Sequence, residues 1–146
     1  EPGQKEVSKG NDGYERYFFK VNGKKRSETV ISENGKNKVF TTWTKEGSKK
    51  FETRTIMHEM DTKQIFSWFN ADSSLSSQEF STVLKSGTFK DSLYVYSDNY
   101  ISAKKYYKNG LLQGHSYWYD KKGKQIGKAK FNEGKFVEGK GTFSFY

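Results

Sequence analysis

Aromatic and β-branched residues come in short runs along this chain, and polar, glycine-bearing turns separate the runs. Residues 14–21, 26–32, 39–44, 51–56 and 64–69 have the side-chain chemistry of strands. Asn22-Gly23, Asn34-Gly35 and Glu46-Gly47 punctuate the first third at close to twelve-residue spacing. Asn109-Gly110, Lys122-Gly123 and Glu133-Gly134 punctuate the last third. Asn-Gly signals a tight hairpin, because a type I′ turn needs positive φ at both central residues. Strands at this spacing predict an antiparallel, all-β array.

The runs also repeat. In Gly87-Thr88-Phe89-Lys90-Asp91-Ser92-Leu93-Tyr94-Val95-Tyr96, aromatics fall seven and nine residues after the glycine. Gly110-Leu111-Leu112-Gln113-Gly114-His115-Ser116-Tyr117-Trp118-Tyr119 repeats that spacing 23 residues later. A third copy opens at Gly134 and places Phe143 nine residues on. Units of this length stack side by side, each burying its apolar surface against its neighbours. Two strands per period make each unit one hairpin. The expected architecture is therefore an elongated single-layer meander of about five or six antiparallel β-hairpins. Alternation puts Tyr94 and Tyr96 on one face, and Tyr117 and Tyr119 on one face opposite Trp118. In register, the tyrosines would form cross-strand ladders.

Two stretches fit less well. Ser76-Ser77-Gln78-Glu79 resembles a capping box, with Phe80, Val83 and Leu84 at helical spacing, so a short helix over residues 75–85 competes with the strand that the repeat phase predicts. Residues 1–12 have almost no apolar content and read as a flexible tail, leaving residues 13–146 as a single domain.

Composition sharpens this picture. Leu, Ile, Val and Phe together make only 29 of 146 residues, whereas the 25 aromatics can each bury about 150–250 Å². A thin aromatic sheet fits that supply; a thick aliphatic core does not. The net charge is +9, and ten lysines against three carboxylates fall between Ile101 and the end. Such a balance attracts an acidic protein or an anionic lipid surface, or serves only to keep sheet edges apart. The absence of cysteine excludes disulfides, thiolate metal sites and a cysteine nucleophile. The polar start Glu1-Pro2-Gly3-Gln4-Lys5-Glu6, with no initiator Met, is the expected start of an exported protein after signal removal.

Gly134-Lys135-Phe136-Val137-Glu138-Gly139-Lys140-Gly141-Thr142-Phe143 resembles the MORN repeat, with its glycine-lysine turn, Gly-x-Gly step and Thr-aromatic pair; it carries one extra residue before the Gly-x-Gly. Tyr107-Lys108-Asn109-Gly110-Leu111-Leu112-Gln113-Gly114, followed by Tyr117-Trp118-Tyr119, is more similar to the variant MORN repeat of bacterial YwqK-type proteins. The resemblance runs from about Tyr94 to Tyr146, and more loosely over residues 14–56. It implies a hairpin meander and a non-catalytic role in protein scaffolding or phospholipid binding. The antitoxin label carried by many YwqK-type proteins adds neutralisation of a toxin to the expected roles.

Nothing in the sequence assembles a catalytic, cofactor or metal site. His58 and His115 are the only histidines, and His58-Glu59-Met60-Asp61 spreads its groups over alternating faces with no second histidine at ligand spacing. There is no Gly-x-Ser-x-Gly elbow, and the glycines fit hairpin slots rather than a phosphate loop. The chain is therefore expected to be non-enzymatic. The candidate binding residues are the aromatics that a single-layer sheet leaves open, Trp118, Trp43 and Trp68, together with Tyr117, Tyr119 and the turn lysines Lys121 and Lys122. The expected partner is an acidic protein. An anionic lipid surface, or a glycan stacked on exposed rings, is the alternative, and nucleic acid is not expected. Open sheet edges also allow a homodimer.

Overall fold

The chain folds as one open sheet, seen here in a computed structural model that describes residues 2–8 and 12–143. The strands are β1 (Pro2–Val7), β2 (Gly13–Phe19), β3 (Lys25–Ser32), β4 (Asn37–Trp43), β5 (Lys49–Met57), β6 (Thr62–Phe69) and β7 (Leu75–Leu84). They continue with β8 (Gly87–Ser97), β9 (Tyr100–Lys108), the two-residue β10 (Leu111–Leu112), β11 (Gly114–Tyr119), β12 (Gln125–Asn132) and β13 (Lys135–Gly141). Every strand pairs antiparallel with the next, except that β10 pairs only with β9 and β11 returns to β9. Among the described residues there is no helix.

A regular irregularity defines the repeat. In five hairpins the returning strand carries one residue too many: Arg26 in β3, Lys50 in β5, Ser76 in β7, Ser102 in β9 and Ile126 in β12. These bulges recur at intervals of 24 to 26 residues, so the middle of the chain keeps the period of its ends. A bulge bends its strand and increases the local twist. Here each follows the turn at the same end of the sheet, and each unit therefore repeats the same geometry.

The competing helix over residues 75–85 does not form. Leu75–Leu84 is strand β7, hydrogen-bonded to β6 on one side and β8 on the other. Its serines sit at the bulge rather than at a helix cap, and pairing on both sides outweighs a weak local helical preference. The tail is corrected too. Pro2–Val7 is an edge strand, while residues 1 and 9–11 lie outside the described residues. Its few apolar groups are replaced by the backbone ladder, by ion pairs of Lys5 with Glu15 (3.4 Å) and Glu6 with Arg16 (3.7 Å), and by Lys5 lying over the Tyr17 ring.

The turns obey backbone chemistry. Asn109 (φ 52°) and Gly110 (φ 80°) form a two-residue turn with both central residues left-handed, as Asn-Gly predicts. Gln113 then ties β10 to the next hairpin, donating to Asn132 Oδ1 at 3.1 Å and accepting from the Glu133 N–H at 2.8 Å.

The one buried cluster lies at the C-terminal end, where Ala103, Trp118, Ala129 and Phe131 are covered and Val95, Leu112 and Phe143 pack against them. Its cover comes from the chain itself. Gly141, at φ 79°, ends β13 and turns Thr142 back so that its N–H reaches the Ile126 carbonyl at 2.9 Å. Phe143 then lies 5.4 Å from the Trp118 ring and 5.9 Å from that of Phe136. The Gly-x-Gly step before Thr-aromatic thus has a packing reason: a side chain at position 139 would meet the Phe143 ring at 2.6 Å.

Candidate functional site

Register fixes which side chains share a face, because directly paired residues point the same way. One row crosses the whole sheet as Glu6, Arg16, Glu28, Thr41, Glu52, Ser67, Gln78, Tyr94, Lys104, Tyr117, Lys128 and Lys140. The adjacent row on the opposite face reads Tyr17, Ser27, Thr42, Phe51, Trp68, Ser77, Val95, Ala103, Trp118, Gly127 and Gly141. We call the first the tyrosine face.

Charge on the tyrosine face changes character along the row. Over β1–β5 the cations are matched: Glu28 receives Arg16 and Lys25, and Glu52 receives Lys49 and Arg54. Lys25 also lies 4.7 Å over the Trp43 ring and Lys49 lies 5.2 Å over Phe69, the same arrangement one repeat later. Burial alone would raise the Glu28 carboxyl, but the hydrogen bonds from Arg16 and Lys25 outweigh it and hold the group below the usual range. A depressed carboxyl stabilises the fold above its unfolded value of about 4.3 and loses that contribution as pH falls through the folded value. Urea midpoints are therefore expected to hold between pH 7 and 5 and to fall below about pH 4. Glu28→Gln should lower the midpoint at pH 7 and flatten the acid limb; an unaltered limb would remove Glu28 from the account.

Beyond β5 the row carries no carboxylate. Lys104, Lys128 and Lys140 have no ion-pair partner among the described residues. Tyrosines stand between them. Lys104 lies 5.2 Å over Tyr94 and 5.7 Å over Tyr119, and Tyr106 meets Tyr117 edge-on at 6.5 Å. The expected tyrosine ladder is thus interleaved: β9 separates Tyr94 from Tyr117 and puts Lys104 opposite both. The Tyr96 hydroxyl donates to Gln78 Oε1 at 2.7 Å, and Gln78 donates to Ser67 Oγ at 3.1 Å. Burial, then the hydrogen bond with Tyr94, pushes the Tyr106 phenol up to about 12, so this ring system stays uncharged at neutral pH. The rings are half-exposed, with Tyr106 37% accessible, whereas Lys128, Lys130 and Lys140 are exposed.

The structure divides the predicted site residues. Tyr117 and Tyr119 lie on the tyrosine face, and Lys121 and Lys122 are exposed in the adjoining turn, where Asp120 Oδ1 accepts from the Lys122 N–H at 2.9 Å. Trp43 shares that face but sits in its charge-paired N-terminal half. Trp68 is on the opposite face, 38% exposed, in contact with Phe66 (6.2 Å) and Phe51 (5.5 Å). Trp118 is also on the opposite face and is 8% exposed beneath Phe143, so it belongs to the core and not to an open contact surface. Sequence reasoning missed Lys104, Tyr106, Lys128 and Lys140. The signal available was Gly127-Lys128-Ala129-Lys130-Phe131, a strict alternation whose buried partners are Gly, Ala and Phe. Among the described residues no three His, Asp or Glu side chains are grouped to hold a metal.

These features define a class: an open, single-sheet β-hairpin repeat protein with one charge-paired and one lysine-rich half. No family model and no curated protein matches the chain. Among solved structures it is similar to the crystal structure of TarM, at 14% identity and a TM-score of 0.36, over 78% of this chain and 19% of that one. The chain spans about a fifth of that protein's length, and a likeness so low carries no argument.

Proposed function

We propose that the chain is a non-enzymatic interaction module that binds an acidic protein through the tyrosine face of β8–β13 and acts by covering its target. One observation carries the reading: along a single row of the sheet, ion pairing stops at β5, and the cations that follow alternate with half-exposed tyrosines. Tyrosine supplies rigid contact area with a polar tip, and unpaired lysines steer an acidic partner. In the MORN and YwqK-type resemblance this corresponds to a scaffold or a toxin-neutralising protein.

A second reading rests on the exposure of Lys128, Lys130 and Lys140: attraction to anionic lipid, worth up to about 1 kcal/mol per lysine near a membrane. Affinity capture from lysate and envelope fractions at low and high salt separates the two. On the protein reading, a captured partner persists at high salt, is lost with Tyr117→Ala, and is unaffected by Trp68→Ala on the opposite face. Lipid that washes off with salt overturns it in favour of the second reading. Retention that depends on Trp68 and is competed by free sugar would instead place a glycan on the opposite face.

A further inference from the structure

We propose that the depression between β11, β12 and β13 on the tyrosine face is a binding site for a phosphate monoester group. The depression measures about 350 Å³ and is lined by His115, Lys128, Lys130, Glu138 and Lys140 over the backbone of Gly139. Cross-strand pairing brings these groups together: Lys128 stands opposite Lys140, and Lys130 stands between His115 and Glu138. Like charges directly opposite one another destabilise a sheet pair. The Lys128–Lys140 pair is nonetheless left without a carboxylate at ion-pair distance among the described residues.

Charge selects the ligand. Three ammonium groups against one carboxylate leave two positive charges in the depression. A phosphate monoester carries about −1.5 to −2 at pH 7 and three acceptor oxygens, enough to take one hydrogen bond from each lysine. A single carboxylate brings half that charge. The imidazole of His115, 6.2 Å from the Tyr117 ring, adds a nitrogen at the side of the depression nearest the tyrosines. The phosphate site would thus anchor one charged group while the rings take the surface around it. The inference rests on the tyrosine face being the contact surface, but its own test does not need a partner.

The probe is inorganic phosphate, titrated against chloride at matched ionic strength, with the His115 ring and Lys128 followed by NMR. Saturation at one site is expected, weakened about fivefold by Lys128→Gln and by Lys140→Gln. Glu138→Gln is expected to tighten it, which loss of folding cannot mimic, and Lys121→Gln in the turn should leave it unaltered. Phosphate binding no better than chloride, or weakening shared by Lys121→Gln, overturns the site. If phosphate binds as expected but no partner is captured through Tyr117, the site stands and the partner reading falls; the reverse result removes only the site. Binding of a phosphoserine peptide over its unphosphorylated form identifies a protein source of the phosphate, and binding only of vesicles containing phosphatidic acid identifies a lipid one.

Discussion

Replacing Trp118 with alanine is expected to lower the unfolding free energy by about 3–5 kcal/mol, the cost of truncating a large buried aromatic. Trp118 is 8% exposed, with Phe143 at 5.4 Å over one side of its ring and Ala103 as its cross-strand partner. Neither neighbour can collapse into the space. Ala103 has no side chain to extend, and Phe143 is held by the Thr142 hydrogen bond to Ile126. The loss should also be local. In an array each hairpin contacts only its neighbours, so the C-terminal hairpins should melt first. Trp43 and Trp68 lie in β4 and β6, far along the sheet, and report on the other half. The measurement is a urea titration read by tryptophan fluorescence and by circular dichroism. Two separated transitions, with the tryptophan one near the parent midpoint, are expected. A single transition displaced by less than about 1 kcal/mol would show that the ring is not part of the core.

The sequence reveals the hairpins through local chemistry, and local chemistry is where it is reliable. Asn109-Gly110 forms its two-residue turn because few other pairs tolerate two left-handed residues, and the tyrosines share a face because a strand alternates. The failures are all questions of what lies across from a residue. Ser76 to Glu79 looks like a helix cap until β6 and β8 claim its backbone. Pro2–Val7 looks unstructured because its partners, Glu15 and Arg16, lie beyond the turn that follows it. Trp118 looks like an open ring because its cover, Phe143, is 25 residues away, beyond a left-handed glycine. For the site, the ten C-terminal lysines were visible but their ion pairing was not. Lys49 and Lys128 look alike in the chain; one has Glu52 at 3.4 Å and the other faces Lys140.

A glycine series tests the return of the chain over Trp118. Gly127 lies directly opposite that ring, and a methyl group there would stand 1.7 Å from the Thr142 carbonyl oxygen. Backbone blocks it, so Gly127→Ala must displace the 142–143 segment and uncover Trp118, at a cost of about 3 kcal/mol or more. Gly139→Ala meets the edge of the Phe143 ring at 2.6 Å. A ring can swing, so about 1–3 kcal/mol is expected. Gly110→Ala meets nothing within 4 Å but must hold φ at 80°, which costs about 1 kcal/mol. The order of the three follows from what each methyl strikes: fixed backbone, movable ring, or open space. Urea midpoints give the order, and a red shift of tryptophan emission should accompany Gly127→Ala alone. If that variant is no worse than Gly110→Ala, then Thr142 and Phe143 do not hold the cluster closed. Trp118 would then regain its place among the open aromatics, and the opposite face would compete with the tyrosine face for the partner.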